Sequence, residues 1–158
     1  MNSPSNNPSS GRVFSVVGDR YHFLVTGEES DGKFAMFEFL VPPRHGPPPH
    51  VHQREDEIFH ILEGDFTFTV AGGEVLLTAG QTLYAKRGVP HTFKNTGTVA
   101  GRMIVIAAPA GLEEFFAEIG TPLDSPLADP IEPTPADIER LLAAAPRYGL
   151  EILPPPIP

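Results

Sequence analysis

The chain has 158 residues, 41% hydrophobic and 20% charged, a length and balance that suit one globular domain with a sizeable core. Its formal net charge of −9 argues against a nucleic-acid partner and against an anionic membrane surface, since both would repel it. With no cysteine there is no disulfide, thiolate metal site or cysteine nucleophile, and no apolar run approaches the roughly 20 residues a membrane span needs.

The opening Met-Asn-Ser-Pro-Ser-Asn-Asn-Pro-Ser-Ser has neither the basic nor the apolar region of a signal peptide. Residues 1–11 read as a disordered tail, and the cytoplasm is the expected location. From Arg12 the pattern turns to short β-like runs, at 13–17 and 21–26, parted by Gly18-Asp19. The polar stretch 27–32 reads as a hairpin turn, and 34–41 as a strand buried on both faces. Pro42-Pro43 ends that strand. Pro47-Pro48-Pro49 then imposes a stiff, extended entry into His50.

Further strands are predicted at 58–62, 65–70, 74–77, 83–85, 91–94 and 102–107. In the 65–70 run Phe66, Phe68 and Val70 face one way, and Asp65, Thr67 and Thr69 the other. Many short strands broken by Gly and Pro imply an antiparallel sandwich or barrel over residues 12–110. Two helices follow within 111–158. The first spans 112–119 with Gly120 as its stop. The second starts at Thr134-Pro135, with Thr134 as cap and Asp137 reaching back, and runs to about Ala144. A Pro- and acid-rich linker, 121–133, lies between them, and this extension is expected to pack on the outside of the barrel.

The stretch from His50 to Gly64 carries the chemistry. Residues two apart on a strand share a face, so His50 and His52 aim two imidazoles at one point, a chelate for a divalent transition metal. Glu57 supplies an anionic oxygen. His91, in Gly-Val-Pro-His-Thr-Phe, is a fourth ligand candidate. Glu57 shares a strand face with Phe59 and Ile61, whereas Asp56 takes the opposite face, which favours Glu57 as the ligand. Glu55 reads as a solvated loop acid, His60 as an outward residue, and His45 and Lys86 as solvated groups near the mouth.

The spacing His50-x-His52-x4-Glu57-x6-Gly64 resembles the first motif of the cupins, and Gly80-x5-Lys86-x-Gly88-x2-His91-x3-Asn95 resembles the second. The resemblance covers roughly residues 34–108, with Lys86 standing where the family usually has Pro. It implies an all-β, antiparallel jelly-roll barrel holding one divalent transition metal (Fe, Mn, Ni, Co, Cu or Zn) on His50, His52, Glu57 and His91. Phe59, Phe66, Phe68, Phe93 and Met103 are the expected substrate-pocket lining, and a homodimer is a family-level expectation.

Among cupins the chain looks most like the quercetin dioxygenase-like members. That likeness implies a dioxygenase acting on a small hydroxy-carbonyl or flavonol-like substrate chelated to the metal, with Glu57 as the catalytic proton acceptor. Two other readings stand beside it: a non-catalytic, metal-anchored small-molecule-binding module, and a metal-dependent isomerase or epimerase.

Overall fold

The computed structural model describes residues 11–154, and the expected N-terminal tail lies, but for Gly11, outside them. The strands in chain order are β1 (Val13–Val16), β2 (Asp19–Val25), β3 (Ala35–Val41), β4 (His50–His52), β5 (Asp56–Glu63) and β6 (Phe66–Val70). Then come β7 (Gly73–Leu77), β8 (Thr82–Ala85), β9 (His91–Asn95), β10 (Gly101–Ala108), β11 (Thr121–Leu123) and β12 (Leu150–Ile152). The helices are α1 (Gly27–Ser30), α2 (Leu112–Ile119) and α3 (Pro135–Ala144). None of them is long and apolar enough to cross a membrane.

The architecture is an antiparallel jelly roll. A seven-stranded sheet of order β11-β1-β2-β3-β10-β5-β8 faces a five-stranded sheet of order β12-β4-β9-β6-β7. The two form a sandwich and are not joined into one hydrogen-bonded ring. Period-two alternation builds it: Ala35, Phe37, Phe39 and Val41 point inward from β3, as do Met103, Val105 and Ala107 from β10. Phenylalanines fill the space between the sheets. Phe23 and Phe37 meet edge to face at 5.3 Å, and Phe59 and Phe68 do so at 5.1 Å.

Three local expectations change. Residues 27–30 form one helical turn, α1, where a hairpin turn was expected. The Glu29 carboxylate accepts from the Thr26 N–H, and the chain leaves through Asp31 and Gly32, both at positive φ. Gly120 does stop α2, but at φ −85°, ψ 164°, not in a left-handed conformation. It is needed because a Cβ there would sit 2.7 Å from the Phe116 carbonyl oxygen and 3.1 Å from Phe14. The linker 121–133 is not free chain: β11 pairs with β1, the Arg20 guanidinium donates to the Ala128 carbonyl at 2.8 Å, and the Ile131 N–H donates to Ser15 Oγ.

The second helix starts as its sequence predicts. Thr134 Oγ1 accepts from the Asp137 N–H, while the Asp137 carboxylate accepts from the Thr134 N–H at 2.7 Å. The placement of the C-terminal segment differs from the expected one. It lies over the mouth between the sheets: β12 pairs with β4, and Phe115, Phe116, Ile119, Leu141, Leu150 and Ile152 line the internal cavity.

Candidate metal centre

The cluster draws on both sheets. His50 and His52 lie two apart on β4, and His91 on β9 sits directly opposite His50 in the antiparallel register. Glu57 arrives from β5 of the facing sheet, where its neighbours Ala107 and Ala85 are small and leave it room. All four side chains are buried, and one potential ligand atom from each lies within 4.8 Å of the others. Glu57 Oε1 is 2.8 Å from His52 Nε2 and 3.0 Å from His91 Nε2.

The proline run positions the histidines. Proline has no N–H, so three in a row present carbonyls only. Each carbonyl is used: Pro47 accepts from Thr92 Oγ1 at 2.7 Å, Pro48 from His50 Nδ1 at 2.7 Å, and Pro49 from the Leu153 N–H at 2.9 Å. Gly46 lets this segment lie against β9, since a Cβ there would be 1.9 Å from the Phe93 carbonyl oxygen.

The second nitrogen of each ring has an acceptor. His50 Nδ1 donates to the Pro48 carbonyl, and His91 Nδ1 donates to the Val89 carbonyl at 3.1 Å. A carbonyl can only accept, so both rings carry hydrogen on Nδ1, and each turns Nε2 away from that bond. His52 Nδ1 faces Glu55 Oε2 at 3.5 Å, an ion-pair separation rather than a well-formed hydrogen bond, and neither atom has another partner. Glu55, expected to be a solvated loop acid, is therefore buried beside His52. His91 Nε2 faces Glu57 Oε1 at 3.0 Å, a contact that a shared proton or a metal ion held by both groups can make.

Burial, then the charges of His52 and His91, pull His50 down to about 3, which keeps it neutral. Burial also works to lower His52, but Glu57 and Glu55 outweigh it and push it up to about 10. Burial works to raise Glu57, yet the charge and hydrogen bonds of His52 and His91 hold its carboxyl below the usual range. The cluster thus concentrates negative charge on one buried oxygen and surrounds it with nitrogen donors. Three imidazoles and a carboxylate fit a divalent transition metal, and a metal would compete with the His52 proton for the same place.

Other residues fall as follows. Asp56 faces outward and holds Arg87, whose N–H donates at 2.9 Å, so it is no ligand. His60 Nδ1 meets Thr82 Oγ1 on the outer face, and Lys86 is exposed. His45 is partly exposed beside Asp19. Asn95 is a loop anchor: its amide donates to the Val41 and Val99 carbonyls, and its oxygen accepts from the Gly97 N–H, each at 2.9 Å.

A cavity of about 60 Å³ adjoins the cluster and reaches His50, His52 and Glu57. Phe59 and Phe93 line it. Phe66, Phe68 and Met103, expected there too, are wholly buried in the core and do not reach its wall. The opposite wall comes from Asp19, Tyr21, Phe39 and the C-terminal segment, which sequence reasoning did not assign to the pocket. Their positions depend on tertiary packing and leave no local pattern.

Residues 37–107 match the family model for the cupin domain. Over 141 residues the chain is 26% identical to a quercetin 2,3-dioxygenase of Bacillus subtilis, covering 89% of this chain but 41% of that protein. It is 32% identical over 75 residues to an oxalate-binding protein of Thermotoga maritima, covering 47% of this chain and 62% of the other. The solved structure of a predicted oxalate decarboxylase, also of Thermotoga maritima, superposes with a TM-score of 0.57 at 24% identity, over 69% of this chain and 99% of that one. The chain thus spans about two fifths of the dioxygenase it matches. Fold, motif spacing and the buried cluster agree with the family match, and this chain carries a cupin domain.

Proposed function

We propose that the protein is a metal-dependent cupin enzyme of the dioxygenase type, acting on a compact hydroxy-carbonyl compound bound at the metal. The observation that supports this is the histidine geometry. Two Nδ1 atoms donate to backbone carbonyls, the third faces Glu55, and the remaining donor atoms gather around Glu57 Oε1. A divalent metal held there supplies Lewis acidity and, if redox-active, electron transfer toward dioxygen. Glu57, the one anionic group in the cluster, would be placed to accept a proton from the hydroxyl of a bound compound. The apolar walls exclude water from that transfer.

The cavity has room for about four to six waters at ~10–15 Å³ each. That favours a ligand of one ring or less over a three-ring flavonol while the C-terminal segment stays in place. A binding module without turnover is the second reading, supported by the similarity to an oxalate-binding protein and by the same small volume.

The test is metal analysis of the purified protein, followed by oxygen uptake with a panel of small hydroxy-carbonyl compounds on protein reconstituted with each metal in turn. Stoichiometric metal that is lost in His91→Ala, with uptake by at least one compound, supports the enzyme. Metal-dependent ligand binding with no uptake on any metal supports the binding module. Full metal occupancy in His91→Ala refutes the site.

A further inference from the structure

The cavity wall carries a buried acidic group besides the metal cluster. It is Asp19, at the start of β2. It is 3% exposed and lines the cavity. Its Oδ1 has no hydrogen-bond partner; His45 Nδ1 faces it at 3.6 Å, an ion-pair separation beyond hydrogen-bond reach. A buried carboxyl oxygen without a hydrogen bond is unfavourable, and the long contact to the partly exposed His45 offsets that only in part. Groups held at such a cost are characteristic of sites that wait for a ligand.

Tyr21, two residues on and on the same strand face, stacks on Phe39 with centroids 3.6 Å apart and planes at 12°. Tyr21, Asp19 and Glu57 all line the same cavity. Between them the wall is apolar: Val16, Val17, Phe39, Phe116, Ile119 and Leu141.

We propose that Asp19 is the second anchor of the cavity, accepting a hydrogen bond from a hydroxyl on the end of a small ligand whose other end chelates the metal on His50, His52, Glu57 and His91. This rests on the metal reading above and narrows the substrate class. The ligand carries paired oxygen donors at one end, a short apolar body, and a hydrogen-bond donor at the far end. A ligand ending in a methyl group leaves Asp19 unpaired and binds less well.

The test uses the metal-loaded protein and two probe series, straight-chain alkane hydroxamates of two to five carbons and the same chains ending in a hydroxyl. The hydroxamate supplies the chelating oxygens, and the chain length scans the unmeasured span. Binding is read by calorimetry with and without metal. At one chain length the hydroxyl-ended probe is expected to bind about ten- to a hundredfold more tightly than its methyl-ended counterpart. Asp19→Ala and Asp19→Leu are expected to erase that preference while binding the methyl-ended probe as well as before or better. If only one variant folds, it suffices, and the wild-type comparison needs neither. Metal-dependent binding of both series with no hydroxyl preference at any length overturns the assignment of Asp19 and leaves the metal reading standing. A preference unchanged in the variants also overturns it. Binding that ignores the metal in both series overturns both.

Discussion

The sharpest consequence of the cluster's geometry concerns Glu55, which is no ligand. The His52 and Glu55 side chains are 5% and 4% exposed, and His52 Nδ1 and Glu55 Oε2 have only each other. Glu55→Ala would take away the carboxylate that faces the buried His52 Nδ1 at 3.5 Å, a contact to a charged group whose loss costs about 1–3 kcal/mol. It would also free the ring to rotate its Nε2 away from Glu57. Loss of such a supporting partner costs about 10–100-fold in metal affinity, which at 1.4 kcal/mol per tenfold agrees with the figure for the lost contact.

Glu55→Gln keeps an acceptor oxygen of the same reach, so its affinity is expected to stay within about fivefold of wild type. The assay is competition for Zn²⁺ against a chromophoric chelator, with the melting temperature of the metal-free proteins measured alongside. A role confined to packing would lower stability in both variants and leave affinity alone. Unaltered affinity in Glu55→Ala, or equal losses in Ala and Gln, would refute the positioning role.

Gly46→Ala would push a methyl group to 1.9 Å from the Phe93 carbonyl oxygen and break the bonds from the Arg44 N–H to Asn95 and from the Asn95 N–H to His45. We expect about 3 kcal/mol or more of lost stability in urea unfolding, together with reduced metal occupancy. Asn95→Ala removes three hydrogen bonds, one buried and two partly buried, and is expected to cost about 2–4 kcal/mol by the same measurement, with the ligand set intact. Burial holds the Asp19 carboxyl well above the usual range, so from about pH 4 upward the native chain binds more protons than the unfolded chain. Stability therefore falls as pH rises through that window, and Asp19→Asn should melt progressively higher than wild type between pH 4 and 7; parallel melting curves would count against the buried, unpaired carboxyl.

What could be read in the sequence was what the chain decides locally. The alternation of Phe66, Phe68 and Val70, the cap at Thr134 and the convergence of His50 with His52 follow from residues two to four apart. Period two on a strand or one helical turn fixes them whatever the rest of the chain does. Glu55 was misjudged because its burial depends on how the loop 53–55 folds back under β4, not on its residue type. The three-residue strands β11 and β12 were missed because neither has enough length to show a period. Each exists only through its partner, Thr121–Leu123 against β1 about a hundred residues earlier and Leu150–Ile152 against β4. Pro122, which cannot donate to a ladder, is tolerated there because β11 is an edge strand.

The same division separates what the family match tells from what it leaves open. The four putting their ligand atoms together sit on regular strands of two facing sheets, in register with backbone carbonyls that hold the rings. That arrangement is rigid, and proteins that share the fold can share it. The cavity wall is shared: Phe39, Phe59 and Phe93 come from strands of the same two sheets, but Asp19 beside a hairpin turn, and Phe116, Ile119, Leu141 and Ile152 of the C-terminal segment, come from elsewhere. Those latter groups lie outside residues 37–107, which the family match covers. A match of the fold and the cluster therefore does not fix the ligand. On the proposal made above, the choice of ligand in this chain falls to a buried carboxyl and an apolar C-terminal segment, which is why the specificity experiment belongs at Asp19 and not at the histidines.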